Sequence, residues 1–291
     1  MNKLFCKIGD YMGLVKFAHT IFAMPFALIA FTYALTSTEA QFSWWLLAQV
    51  LLCMVLARNV AMGFNRWADR HIDSANPRTA NREIPAGKIS PRGALWFVII
   101  NAIGFVAVAS SINLLTALLS PVALAIVMVY SYCKRFTSMA HLVLGLSLGI
   151  APAGAYIAVC GTFDITPLLL SLLVMTWCGG FDIIYALQDA AFDRERGLHS
   201  IPSRFSVATS LYISIALHIV SIATLIALTL LYLPCNALTW IGVALFCSCI
   251  ILEHILVTPT RQRSIGIAFG TLNGLASLSL ATFVIAGMLL K

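Results

Sequence analysis

Asn65-Arg66-Trp67-Ala68-Asp69-Arg70-His71-Ile72-Asp73 closes an apolar run over 43–64, and this stretch sets the fold class. Its polar residues recur every fourth position, so Asn65, Asp69 and Asp73 share one face of a helix. Downstream, Asp189 and Asp193 repeat that spacing at the end of a second apolar run over 165–187, with Asp182 about two turns inside it. Carboxylates at the ends of apolar helices are costly unless cations hold them. Oxygen-only donors suit Mg²⁺, which keeps part of its water and shares phosphate oxygens with the protein.

The composition agrees with helices in a bilayer. The chain has 291 residues, of which 60% are hydrophobic and 10% charged, against about 25% charged in an average soluble domain. Mean hydropathy is +0.94. Nine runs are long enough to cross a bilayer as helices: 17–36, 43–64, 93–112, 114–133, 139–159, 165–187, 207–232, 236–257 and 265–290. The expectation is an all-α integral membrane protein, one polytopic domain over 1–291, with nine transmembrane helices around a central cavity. Residues 1–16 are polar and basic and lack a cleavage site, so the first run reads as a retained helix rather than a signal peptide.

Basic residues orient the spans. With the N-terminus inside, all of the 18 Lys and Arg except Arg58 and Lys291 fall in segments on the inner side. Both acidic motifs face that side. The net charge of +7 therefore belongs to loops beside anionic lipid and an anionic substrate. It is split over short loops, which argues against nucleic acid. The expected location is a bacterial inner (cytoplasmic) membrane, with the N-terminus and motif loops cytoplasmic.

The two long inner loops, 65–92 and 188–206, carry the motifs, and Pro77, Pro85, Gly87 and Gly197 punctuate them. Both are expected to fold as caps over the cavity. The eight cysteines are scattered without a CxxC and read as small apolar residues, with a Cys160–Cys235 disulfide left open. The six histidines form no metal-spaced set. Asn101, Asn113 and Asn273 are expected in interhelical or capping hydrogen bonds.

A ligand with a diphosphate head and a hydrocarbon tail suits such a site. Carboxylates bind Mg²⁺, the metal bridges to phosphate, and Arg and Lys neutralise the rest. Loss of diphosphate leaves an allylic cation, which a dry site with aromatic faces stabilises. Phe64, Trp67, Tyr130, Tyr132, Phe181 and Tyr185 are the aromatic candidates near inner helix ends.

The chain resembles the UbiA superfamily of membrane prenyltransferases. The matching segments are Asn65-x-x-x-Asp69-x-x-x-Asp73 with Asn76-Pro77-Arg78-Thr79, then Tyr130-Ser131-Tyr132-x-Lys134-Arg135, then Tyr185-Ala186-Leu187-Gln188-Asp189-x-x-x-Asp193. The resemblance implies Mg²⁺-dependent transfer of a prenyl chain from polyprenyl diphosphate to an acceptor. It implies Asp69, Asp73, Asp189 and Asp193 as the metal residues. Asn65, Arg66, Arg70, Lys134 and Arg135 would bind the diphosphate, and Asp182 and Tyr185 would lie near the reacting centre. The segment from Tyr185 to Pro202 looks most like the 4-hydroxybenzoate polyprenyltransferase branch of quinone biosynthesis, which includes enzymes that act on a dihydroxynaphthoate. The aromatic carboxylate of such an acceptor would pair with a further cation, Arg58 or Arg82.

Other readings have different signatures. A transporter would place its acids near the midplane, not in a cluster at one face beside basic loops. Family members with haem, chlorophyllide or phospholipid-type acceptors would share the same acidic motifs. A non-catalytic lipid binder would be expected to have lost some of those acids.

Overall fold

The computed structural model describes residues 3–15 and 22–290. In chain order the helices are α1 Lys3–Val15, α2 Met24–Ser37, α3 Trp44–Ala68, α4 Arg70–Ala75, α5 Pro91–Ser110, α6 Leu114–Cys133 and α7 Ala140–Cys160. Then come α8 Ile165–Ala186, α9 Ala190–Glu195, α10 Ile201–Arg204, α11 Val207–Leu231, α12 Ala237–Leu256, α13 Ile265–Ile267 and α14 Asn273–Leu289. Among the described residues no strand occurs, and the single β-bridge joins Thr258 to Arg261.

Eight helical segments are long and apolar enough to cross a membrane, so the chain is an integral membrane protein. The first expected span, 17–36, is only partly described. Its visible part is α2, which has Pro25 in its first turn and 14 residues. At 1.5 Å per residue α2 alone falls short of a bilayer core of about 30 Å. Residues 16–21 lie outside the described residues.

Helix ends are set by polar side chains. The side chains of Ser43, Ser90, Asn113, Asp164, Ser206 and Asn236 each accept a backbone N–H in the first turn of the helix that follows. Asn113 also donates to the Ile157 and Ala158 carbonyls, which ties the start of α6 to the end of α7. Asn59 donates to Asn101 between α3 and α5 at 2.8 Å, a bond worth about 1 kcal/mol in a membrane. The positive φ of Gly197, +66°, follows the end of α9 as expected of a terminator. Cys53, Cys133, Cys160, Cys178, Cys235, Cys247 and Cys249 are free thiols.

An aromatic core stands between α2, α8 and α12. Trp177 is fully buried, with its ring centroid 5.2 Å from Phe26, 5.1 Å from Phe181 and 5.5 Å from Phe246. The backbones of α7 and α8 approach closely. A Cβ on Gly145 would lie 2.2 Å from the Met175 carbonyl oxygen, and one on Gly149 2.7 Å from that of Ser171. Two small residues one turn apart let the backbones touch, as at other membrane helix pairs. Large apolar side chains such as Ile100, Ile103, Leu118 and Leu231 are exposed on the outer surface, where lipid would cover them.

Candidate active site

The first motif keeps its helical phase through a break. Regular α-helix stops at Ala68 and restarts at Arg70, yet the Asp69 N–H donates to the Asn65 carbonyl (2.9 Å) and the Asp73 N–H to that of Asp69 (2.8 Å). The four-residue rhythm therefore survives, and all three polar residues line one cavity of about 250 Å³. Asn65 Nδ2 donates to Asp69 Oδ2 at 3.3 Å. Lys134 Nζ lies 2.6 Å from that same oxygen, and Arg135 Nη2 3.3 Å from Oδ1. Arg82 pairs with Asp73 Oδ1 at 2.7 Å. Asp73 Oδ2 is buried with no hydrogen-bond partner among the described residues.

The second motif bends in the same way. After α8 a 3₁₀ turn, Leu187–Asp189, leads into α9. Asp189 accepts from Asn76 Nδ2 (2.9 Å) and Arg78 Nε (2.8 Å), and Arg78 Nη2 completes a fork. Arg78 Nη1 donates to the Tyr185 hydroxyl at 3.0 Å. Burial lowers the pKa of this guanidinium, but the hydrogen bonds and charge of Asp189 outweigh burial and hold it above the usual range. Asp193 Oδ2 accepts from Ser200 Oγ at 3.0 Å. Residues from the first loop thus hold an acid of the second, and the two motifs meet at one mouth.

Deeper in, the cavity changes character. Arg58, Tyr130, Leu144 and Leu148 line both the polar mouth and a second, mainly apolar cavity that runs on to Ala109, Thr116 and Ala158. Arg58 Nε and Arg66 Nε are buried with no hydrogen-bond partner among the described residues. His141, on the same helix as Leu144 and Leu148, has Nδ1 2.7 Å from Asp182 Oδ2. A π-helical turn, Ala268–Leu272, precedes α14. Asn273 holds it by donating to the Ala268 and Phe269 carbonyls and to buried Glu253. The turn presents Phe269, whose ring stacks on Tyr185 with centroids 4.1 Å apart.

Comparison with known proteins supplies the family. The profile of the UbiA prenyltransferase family matches residues 23–284. The chain belongs to that family. A 4-hydroxybenzoate octaprenyltransferase from Francisella tularensis subsp. novicida is 32% identical over 193 residues, 66% of this chain and 67% of that protein. The apo structure of a UbiA homolog from Aeropyrum pernix K1 superposes with a TM-score of 0.79 at 30% identity, covering 94% of this chain and 97% of the other. A UbiA homolog from Archaeoglobus fulgidus, solved with GPP and Mg²⁺, has the same fold, with a TM-score of 0.75 at 19% identity over 96% and 99% of the two chains. This UbiA chain is accordingly a membrane prenyltransferase.

Most of the residues expected from sequence come together in this UbiA fold. Asn65, Arg66, Asp69, Asp73, Lys134, Asp182, Tyr185, Asp189 and Asp193 all line the mouth. Arg70 does not. It folds back on the end of α3, donating to the Trp67 carbonyl at 2.7 Å and lying over the Trp67 ring. Arg135 is exposed and reaches Asp69 from the rim. Of the aromatic candidates, Tyr130, Phe181 and Tyr185 line the cavity. Phe64 instead packs on Trp67 and Tyr132.

Other cavity residues go beyond those the sequence marks as site residues. By sequence Arg78 and Arg82 read as topology determinants as readily as ligands, although the Asn76-Pro77-Arg78-Thr79 signature is a signal. His141 and Ser200 carry no spacing signal at all. Among the described residues no three His, Cys, Asp or Glu side chains gather closely enough to bind a metal alone. The donor set still fits Mg²⁺: all oxygens, one of them the unpartnered Asp73 Oδ2, with water and phosphate left to complete the shell.

Proposed function

We propose that this enzyme transfers a polyprenyl group from polyprenyl diphosphate to an aromatic carboxylic acid, 4-hydroxybenzoate or a dihydroxynaphthoate, in ubiquinone or menaquinone biosynthesis. The observation that carries the reading is a polar cavity set beside an apolar one, with Arg58, Tyr130, Leu144 and Leu148 lining both. A mouth lined by four motif acids and by Arg66, Arg78, Arg82 and Lys134 adjoins an apolar space, and Arg58 lines both. A diphosphate head suits the first, its tail the second. The name of the Francisella relative supports an aromatic acceptor. The complex of the Archaeoglobus relative supports a prenyl diphosphate with Mg²⁺.

Asp69, Asp73, Asp189 and Asp193 would hold Mg²⁺, which when bound withdraws charge from the leaving diphosphate. The chain's own residues do the rest. Lys134, Arg66, Arg78 and Arg82 neutralise phosphate oxygens, and Asn65 supplies a further donor. Tyr130, Phe181 and Tyr185 offer ring faces to the allylic cation, and the apolar wall keeps water from capturing it. Arg82 is already paired with Asp73, whereas Arg58 makes no hydrogen bond among the described residues. Arg58 is therefore the cation for the acceptor's carboxylate. By the distribution of basic residues, the mouth faces the cytoplasm across a bacterial inner membrane.

Purified protein with labelled geranyl diphosphate, Mg²⁺ and a panel of acceptors tests this. Lipid-soluble product is expected with an aromatic acid. Asp69→Ala and Asp189→Ala should each lower its rate by about 100-fold or more while the protein stays folded. Near-normal turnover in both variants would rule out the acidic cradle.

A further inference from the structure

We propose that Asp182 takes the proton the acceptor ring sheds, and that His141 is a positioning residue that keeps Asp182 in register with the second acidic motif. The inference rests on the aromatic-acceptor reading and names a base for it. The first support is the tautomer of His141. The backbone N–H of Ile201 donates to His141 Nε2 at 3.3 Å. That nitrogen is therefore the acceptor, the ring proton sits on Nδ1, and Nδ1–H donates to Asp182 Oδ2 at 2.7 Å. A doubly protonated ring would set two donors against each other at Ile201. The imidazole thus has both nitrogens engaged, and it orients Asp182.

The second support is position. Asp182 Oδ1 takes no hydrogen bond among the described residues, and the side chain lines the cavity. Asp69, Asp73 and Asp189 are bound to Lys or Arg at the mouth. Asp182 sits about two turns deeper than Asp189 along its helix, in the same cavity as Arg58 and Tyr130. An acceptor anchored at Arg58 would hold its ring between the mouth and Asp182.

The step balances without a co-reactant. The C–O bond to diphosphate breaks and its electron pair leaves with the phosphate oxygen. A ring carbon bonds to the prenyl C1. The ring C–H bond then breaks, its electrons restore aromaticity, and the proton passes to Asp182 Oδ1.

The third support is a continuous set of contacts. Ser200 Oγ holds Asp193, and the next residue's N–H holds His141, which holds Asp182. Ser200 and Ser203 form a reciprocal capping box, and Ile201 and Pro202 are buried, so this short segment is fixed. Seating it aligns a diphosphate-side acid and the base together.

The test uses the full-length enzyme and an aromatic acid that the wild type prenylates, carrying protium or deuterium at the attacked carbon. Asp182→Asn keeps an acceptor for His141 but removes the base. It should lower turnover about 100-fold, expose a primary isotope effect absent in wild type, and leave KM for the prenyl diphosphate within about twofold. His141→Ala should fall about 10-fold in turnover and show part of that isotope effect. His141→Asn, whose Nδ2 can stand where Nδ1 stood, should recover most of the loss. Asp182→Asn with near-normal turnover, or with a loss but no isotope effect, overturns the base. Normal turnover in His141→Ala, or no recovery in His141→Asn, overturns the positioning role. A wild-type enzyme that prenylates lipid but no aromatic acid overturns the reading beneath both.

Discussion

Arg58 lies about 15 Å along α3 from the helix's inner end. A cation at such depth is expensive and by default functional, and among the described residues no carboxylate pairs with it. Its cost is offset only when an anion arrives, which is what an acceptor's carboxylate would supply. Two opposite effects should follow from Arg58→Met, which keeps the length and removes the charge. The apparent Tm of the purified protein should rise, because an unpaired buried charge is gone. The acceptor's KM should rise roughly 30-fold, taking about 2 kcal/mol for a charge-assisted hydrogen bond, while KM for the prenyl diphosphate stays within about twofold. Equal losses for both substrates would place Arg58 on the diphosphate instead.

At the scale of elements, the contact of α7 with α8 sets the cavity wall. His141, Gly145 and Gly149 follow at intervals of four on α7, so they share the face turned to α8. The two glycines fix the separation at which His141 can reach Asp182. Gly145→Val would drive its side chain into the Met175 carbonyl. It should lower Tm by several degrees and lower turnover by more than the stability loss explains. Gly154→Ala on the same helix meets open space in the apolar cavity, so its Tm should be unchanged or slightly higher, since alanine outranks glycine in a helix by about 1 kcal/mol. Thermal unfolding and product assays on both variants decide it. The sequence carries part of this and not the rest. Apolar length marks a span because lipid is uniform, and four-residue spacing marks a face because helices are regular. Asp69, Asp73, Asp189 and Asp193 are legible on those grounds. The Arg78–Asp189 fork joins residues on two separate loops, and no periodicity records a tertiary contact. His141 is one of six scattered histidines until helix packing sets it opposite Asp182. The π turn is invisible for a similar reason, since Asn273 in an apolar run signals a buried hydrogen bond but not the backbone register it stabilises.

At the scale of the whole molecule, charge pairs close the mouth, and one of them, Arg78 with Asp189, joins the two halves of the chain. Arg78 and Asn76 from the first loop hold Asp189 of the second, Lys134 from the end of α6 holds Asp69, and Arg82 holds Asp73. Each pair satisfies an acid that a metal would otherwise use and a cation that a phosphate would otherwise use. Mg²⁺ alone must displace the protein's cations, and diphosphate alone must leave the acids bare. Together they take both sets of partners at once, so each should strengthen the other's binding by the same factor. Calorimetry with Mg²⁺ and inorganic diphosphate should therefore find weak binding of either alone, and an affinity of each raised about 10-fold or more by the other, within the usual range of coupling energies. Arg82→Ala releases Asp73 in advance. It should tighten Mg²⁺ binding in the absence of diphosphate and shrink the coupling. If that variant bound Mg²⁺ no better than wild type, the Arg82–Asp73 pair would not be what competes with the metal.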